Sequence, residues 1–87
     1  FIGRKYAALL EEKERKIAAH MARSRYVDCD AFICGYDPMN MFRVGNMVYC
    51  SYFVALNEDG QTKTIDNAVL LVLAEGSDRQ ICGYYIE

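Results

Sequence analysis

Few residues of this 87-residue chain could do chemistry, and they are scattered. Cys29 and Cys34 are separated by four residues, while Cys50 and Cys82 stand alone. A structural zinc site usually draws on two ligand pairs at spacings of about two to four residues, because four donors must converge on one tetrahedral ion. One loose pair without a second predicts no metal site, and no cofactor is expected. Disulfides stay open, and the spacing does not choose among the three pairings that four cysteines allow. Cys29, Cys50 and Cys82 fall in strand-like surroundings, where a free thiol behaves as a small hydrophobe. Buried thiols are the expectation.

His20 is the single histidine. Cysteine nucleophiles need a histidine within reach and a third group to orient its ring, and nothing in the sequence assembles that set. His20 lies within the apolar arc of a helix, on the side of Ile2 and Leu9, and reads as a partly buried structural residue. Asp28 and Asp30 point to one face of a strand and read as solvated carboxylates, although a pair like this divides acid and base roles when its surroundings split the two pKa values. The glycines at 3, 35, 45, 60, 76 and 83 are too far apart to form a phosphate-binding turn. No catalytic residue is assigned on these grounds.

These residues must be positioned by a small set of elements. Residues 2–23 read as a helix. Ile2, Tyr6, Leu9, Leu10, Ile17 and Met21 fall within about a 120° arc at 100° per residue, and the charged residues lie mostly outside it. Lys13 interrupts the arc and can snorkel its ammonium to water. Residues 26–34 alternate, with Val27, Cys29, Ala31 and Ile33 on the apolar parity, and predict a strand. Gly35-Tyr36-Asp37-Pro38 is turn chemistry. Residues 38–46 read as a connection with Met39, Met41 and Phe42 tucked in.

Residues 47–56 predict a long strand, Asn57–Gln61 a hairpin loop with Gly60 at the positive-φ position, and residues 62–74 the returning strand. Asp66-Asn67 should bend or bulge it. Residues 80–86 close the chain as a last strand, in which Gly83 suggests close packing. The expected fold is α+β: one domain over residues 1–87, with the helix packed on a four-stranded, mainly antiparallel sheet (strands at about 26–34, 47–56, 62–74 and 80–86).

The run from Met47 to Ile86, with its long strand, NEDG turn, long strand, short turn and closing GYYI, resembles the C-terminal sheet of domains similar to nuclear transport factor 2 or cystatin. That resemblance covers about half the chain. It implies a fold that hosts enzymes, ligand carriers or scaffolding domains of secretion and transport machinery. In the enzymes of that group a strand aspartate beside tyrosine hydroxyls transfers protons. By that analogy Asp66 would work with Tyr49, Tyr52, Tyr84 or Tyr85, in a pocket between helix and sheet.

Charge separates the chain into two parts. Residues 1–25 carry Arg4, Lys5, Lys13, Arg15, Lys16, Arg23 and Arg25 against Glu11, Glu12 and Glu14, a balance of +4, while residues 26–87 carry −6. Attraction between the two parts within one fold is the simpler account. The alternative is a basic helix face (Arg4, Lys5, Arg15, Lys16, Arg23) that meets an anionic partner or surface. The net charge of −2 and the absence of aromatics interleaved with basic residues argue against nucleic acid. No apolar run reaches the roughly 20 residues of a membrane helix, so membrane contact is expected only through residues upstream of Phe1. A start at Phe1 reads as a piece of a longer chain. The compartment expected is cytoplasmic, or extracytoplasmic if a membrane anchor precedes it.

Seven tyrosines, four phenylalanines and four methionines exceed what one helix can cover on four strands. The expected function is therefore a non-catalytic interaction or assembly module, self-associating or docking on a protein partner through an open sheet face that presents Tyr49, Tyr52, Tyr84 and Tyr85. The alternative is the small-ligand-binding or enzymatic domain that the resemblance implies.

Overall fold

The computed structural model describes residues 2–37, 39 and 41–87; the expected turn at Pro38 lies outside the described residues, as does the side chain of Ile2. The chain runs α1(Ile2–Arg23), β1(Arg25–Tyr36), β2(Phe42–Val44), β3(Met47–Cys50), β4(Phe53–Asn57), β5(Thr62–Ile65), β6(Val69–Leu73) and β7(Gln80–Ile86). It is α+β with a single N-terminal helix, and every strand pairing is antiparallel. The sheet has seven strands in the order β2-β3-β6-β7-β1-β4-β5 rather than four.

The difference has a physical cause. Each strand of the long hairpin breaks once, at Ser51-Tyr52 and at Asp66–Ala68. Up to the first break the ladder pairs Cys50 with Val69, and beyond it Phe53 with Ile65, a shift of one residue in register. The broken hairpin bends, so each half finds a different outer neighbour: β6 pairs with β7, and β4 with β1. β3 and β4 stand almost at opposite ends of the strand order, yet only two residues join them. The sheet must therefore curl round on itself, which is the usual twist of strands carried far by local bends. The extra strand, β2, lies in the stretch read as a connection. It pairs Phe42 with Tyr49. Met41 and Phe42 are half-buried, but Met39 is 84% exposed, contrary to expectation, because it precedes the paired stretch.

Curling gives the sheet an inside. Ala31, Cys50, Phe53, Val69, Leu71 and Ile81 are buried there, with Val27, Cys29 and Ile33 packed against them, as the alternation in β1 predicts. Bulges between Asp28 and Ala31 and between Val72 and Leu73 shift the parity of the adjoining β7. Tyr84 consequently joins Ile81 in the interior although the two differ in parity. The turns follow their glycines: Gly60 takes φ +78° in the hairpin loop. A methyl on Gly83 would overlap the Tyr26 ring, so glycine lets that ring lie flat across β7.

The helix covers only part of the outer face. It lies against β2, β6 and β7, over Leu70, which is fully buried between its ladder partners Tyr49 and Tyr85. Among the described side chains of α1, Ile17 and His20 are the buried ones. Residues 3–9 are all exposed, so this end of the helix, about 33 Å long in all, overhangs the sheet.

Candidate functional site

Two places concentrate unusual side chains: a cavity at one end of the curled sheet, and the overhanging half of α1.

The cavity holds about 330 Å³. Its floor is apolar, from Ala31, Phe53, Ala55 and Ile81, and its rim carries Asp28, Asp30, Glu58 and Asp59. The pairing of Ala31 with Asn57 across β1 and β4 brings Asp30 beside Glu58, which are 28 positions apart. Hydrogen bonding with the Asp30 carboxyl, and then its charge, raise the pKa of the exposed Glu58. Two like charges at close range disfavour the second ionisation, which is the direction of this shift. Gln80 Nε2 also donates to Asp30 Oδ1, at 3.2 Å.

Lys63 crosses the cavity wall. Its Nζ donates to Tyr84 Oη at 2.9 Å and stands 5.5 Å from the centre of the same ring. Tyr84 itself is 4% exposed and meets Phe53 edge-on at 6.1 Å. Beside them, burial pushes the Cys29 thiol pKa up, with Lys63 opposing. Sequence reasoning missed both Lys63 and Glu58. A signal for Lys63 exists: it shares the parity of the buried Ile65, so a cation had to sit on the core side of β5.

The four tyrosines expected at an interface do not form one surface. Tyr84 is interior and has no surface to offer. Tyr49 is half-buried, stacked on Phe42 at 5.2 Å and meeting His20 edge-on at 5.5 Å. Tyr85 is half-buried beside Tyr26, with ring centres 4.9 Å apart. Only Tyr52 is exposed, at the bend between β3 and β4. The open face expected for them is largely taken up by the curl on one side and the helix on the other.

Asp66 is exposed in the break between β5 and β6 and does not line the cavity. The cavity lies within the curl of the sheet, not between helix and sheet as the resemblance implies. His20 is fully buried, and its Nε2 lies 2.9 Å from the Tyr85 carbonyl oxygen. A carbonyl only accepts, so Nε2 carries the proton; Nδ1 has no partner. The cysteines are all free: Cys50 is buried and Cys29 half-buried, but Cys34 and Cys82 are exposed. Cys82 departs from the buried reading because it lies on the outer side of β7, clear of the helix. Among the described residues no group of three or more His, Cys, Asp or Glu is placed to hold a metal ion.

On α1 the basic residues Arg4, Lys5, Arg15, Lys16 and Arg23 are all exposed. Arg23 pairs with Glu87 at 3.3 Å, and among the described residues this is the ion pair between helix and sheet. Lys13 marks where packing begins, its Nζ 5.8 Å from the centre of the Phe42 ring. Beyond it the apolar arc continues uncovered, with Tyr6 68% and Leu9 51% exposed. Sequence reading placed both on the arc but expected the sheet beneath them. No helix among the described residues is long and apolar enough to cross a membrane. No family model, curated protein or solved structure matches this chain.

Proposed function

We propose that this chain is a non-catalytic association module that engages a protein partner through the free half of α1. The observation that carries the reading is the continuity of one apolar arc: Ile17 and His20 bury it against the sheet, and Tyr6 and Leu9 present it to solvent. An exposed apolar stripe on an ordered element is the kind of surface that partners cover. The residues singled out for proton transfer do not converge, since Asp66 stands apart from the cavity, and this favours binding over catalysis. The test is the double substitution Tyr6→Glu, Leu9→Glu in the full chain. Urea denaturation should move by less than about 1 kcal/mol, because neither side chain is packed. Self-association, or co-purification with the native partner, should be lost. Retained association would reject the surface.

A second reading, a small-ligand carrier, is favoured by the cavity itself. Its volume reaches the lower bound of small-molecule sites, roughly 300 Å³, and an apolar floor under polar groups is the usual composition of such a site. Ala55→Leu would fill the floor. It should abolish binding of any ligand held there while leaving association through α1 intact.

A further inference from the structure

We infer that the partner of the free helix half is a second copy of this chain, docked antiparallel along α1. The inference rests on the association reading above and adds the identity and direction of the partner.

The argument comes from the charges beside the apolar arc. Tyr6, Leu9 and Lys13 repeat at intervals of three and four residues, as the seam of a two-helix coiled coil does. At 100° per residue, Lys5 and Glu12 lie together on one shoulder of that seam, and Leu10 and Glu14 on the other. Two helices related by a two-fold axis across the seam run antiparallel and bring like shoulders together. With the axis between residues 7 and 8, Tyr6 of each copy stands level with Leu9 of its mate. Lys5 then lies about 3 Å along the helix axis from the level of the mate's Glu12, within reach of a long side chain, which makes two reciprocal ion pairs. A parallel pair opposes unlike shoulders, where Lys5 meets Leu10 and finds no acid.

A second feature points the same way. The first described turn of α1 holds no acid but carries two adjacent cations, Arg4 and Lys5. No residue of the sheet covers these cations, and both are exposed. A neighbouring Glu12 offsets the repulsion between them. The geometry also permits the approach. Residues 3–9, 11 and 12 of each helix are exposed and Leu10 is half-buried, and antiparallel overlap places the two bodies at opposite ends. A seam this short falls below the roughly 1,200 Å² of a standard interface, so the dimer is reversible and concentration-dependent.

The test is a charge exchange read by sedimentation equilibrium of the full chain at low salt, from micromolar to millimolar concentration. Wild type should show a reversible monomer–dimer equilibrium. Lys5→Glu and Glu12→Lys, each alone, turn two attractions into two repulsions and should weaken the dimer roughly tenfold. An equimolar mixture of the two variants should recover to within about threefold of wild type, because the carboxylate introduced at position 5 then faces the ammonium introduced at position 12. A wild type that stays monomeric throughout, or a mixture no tighter than its components, overturns the antiparallel pairing. Loss of the dimer in Tyr6→Glu, Leu9→Glu alongside a failed exchange would leave the helix as the docking surface and reject only this geometry. Dimerisation that survives the double substitution would reject both.

Discussion

The two halves of α1 are one helix with one apolar arc, yet they live in different solvents. From Lys13 onward the arc rests on the outer sheet, with Ile17 8% and His20 0% exposed; before it, Tyr6 and Leu9 face water. Composition does not separate them, since both halves carry alanines and charges of both signs. What separates them is reach: the sheet ends before the helix does. An amphipathic pattern therefore states that a helix wants a cover, and only the dimensions of the neighbouring element state how much of it receives one.

The sharpest way to break this comparison is a matched pair of truncations. Ile17→Ala should cost about 2–4 kcal/mol in urea denaturation, because the sheet cannot fully close the gap. Leu9→Ala should stay within about 0.5 kcal/mol at concentrations where the chain is monomeric. Equal costs would mean the free half is packed after all.

Next in size is His20→Phe, which keeps a ring against Tyr49 and removes the hydrogen bond to Tyr85. A loss of about 1 kcal/mol is expected.

The packed half also inherits the pH limits of the sheet beneath it. Burial pushes Cys50 up to about 11, against a smaller opposing pull from a backbone hydrogen bond at Tyr52. The fold thus prefers the neutral thiol. Its contribution is complete below the ordinary thiol pKa of about 9 and is lost as pH rises through about 11. Thermal melts between pH 8 and 11 should show the midpoint falling, and Cys50→Ala should flatten that fall. The same burial predicts that alkylating reagents label Cys34 and Cys82 well before Cys50.

The smallest effect belongs to the boundary. Lys13→Ala removes a cation lying over Phe42 and should cost about 0.5 kcal/mol. Hydrogen exchange should then show protection retreating from residue 13 toward residue 17.

Much of the local structure was legible. The helix follows from its arc and the inward parity of β1 from its alternation, while Asn57–Gln61 turns as its glycine requires. The bends were legible only in part. Asp66-Asn67 announces a break by its residue types, but Ser51-Tyr52 contains nothing that opposes a strand, and its bend exists because the other one does. β2 is three residues inside a turn-rich stretch, too short for any period. The burial of Tyr84 depends on bulges, which reverse parity without leaving a local mark. Asp30 and Glu58 meet through the register of β1 against β4, which no spacing along the chain encodes. At the candidate sites, residue types were read correctly more often than their surroundings, because surroundings are set by strand pairing.

The strand order ends on β2 and β5, three and four residues long. At these two margins, therefore, bending the hairpin leaves only short rows of unsatisfied main-chain amides and carbonyls. A foreign peptide has little there on which to extend the ladder. The longer open stretch is Arg25–Asp30 of β1, which β4 leaves unpaired, so strand addition to this sheet would have to begin beside the cavity.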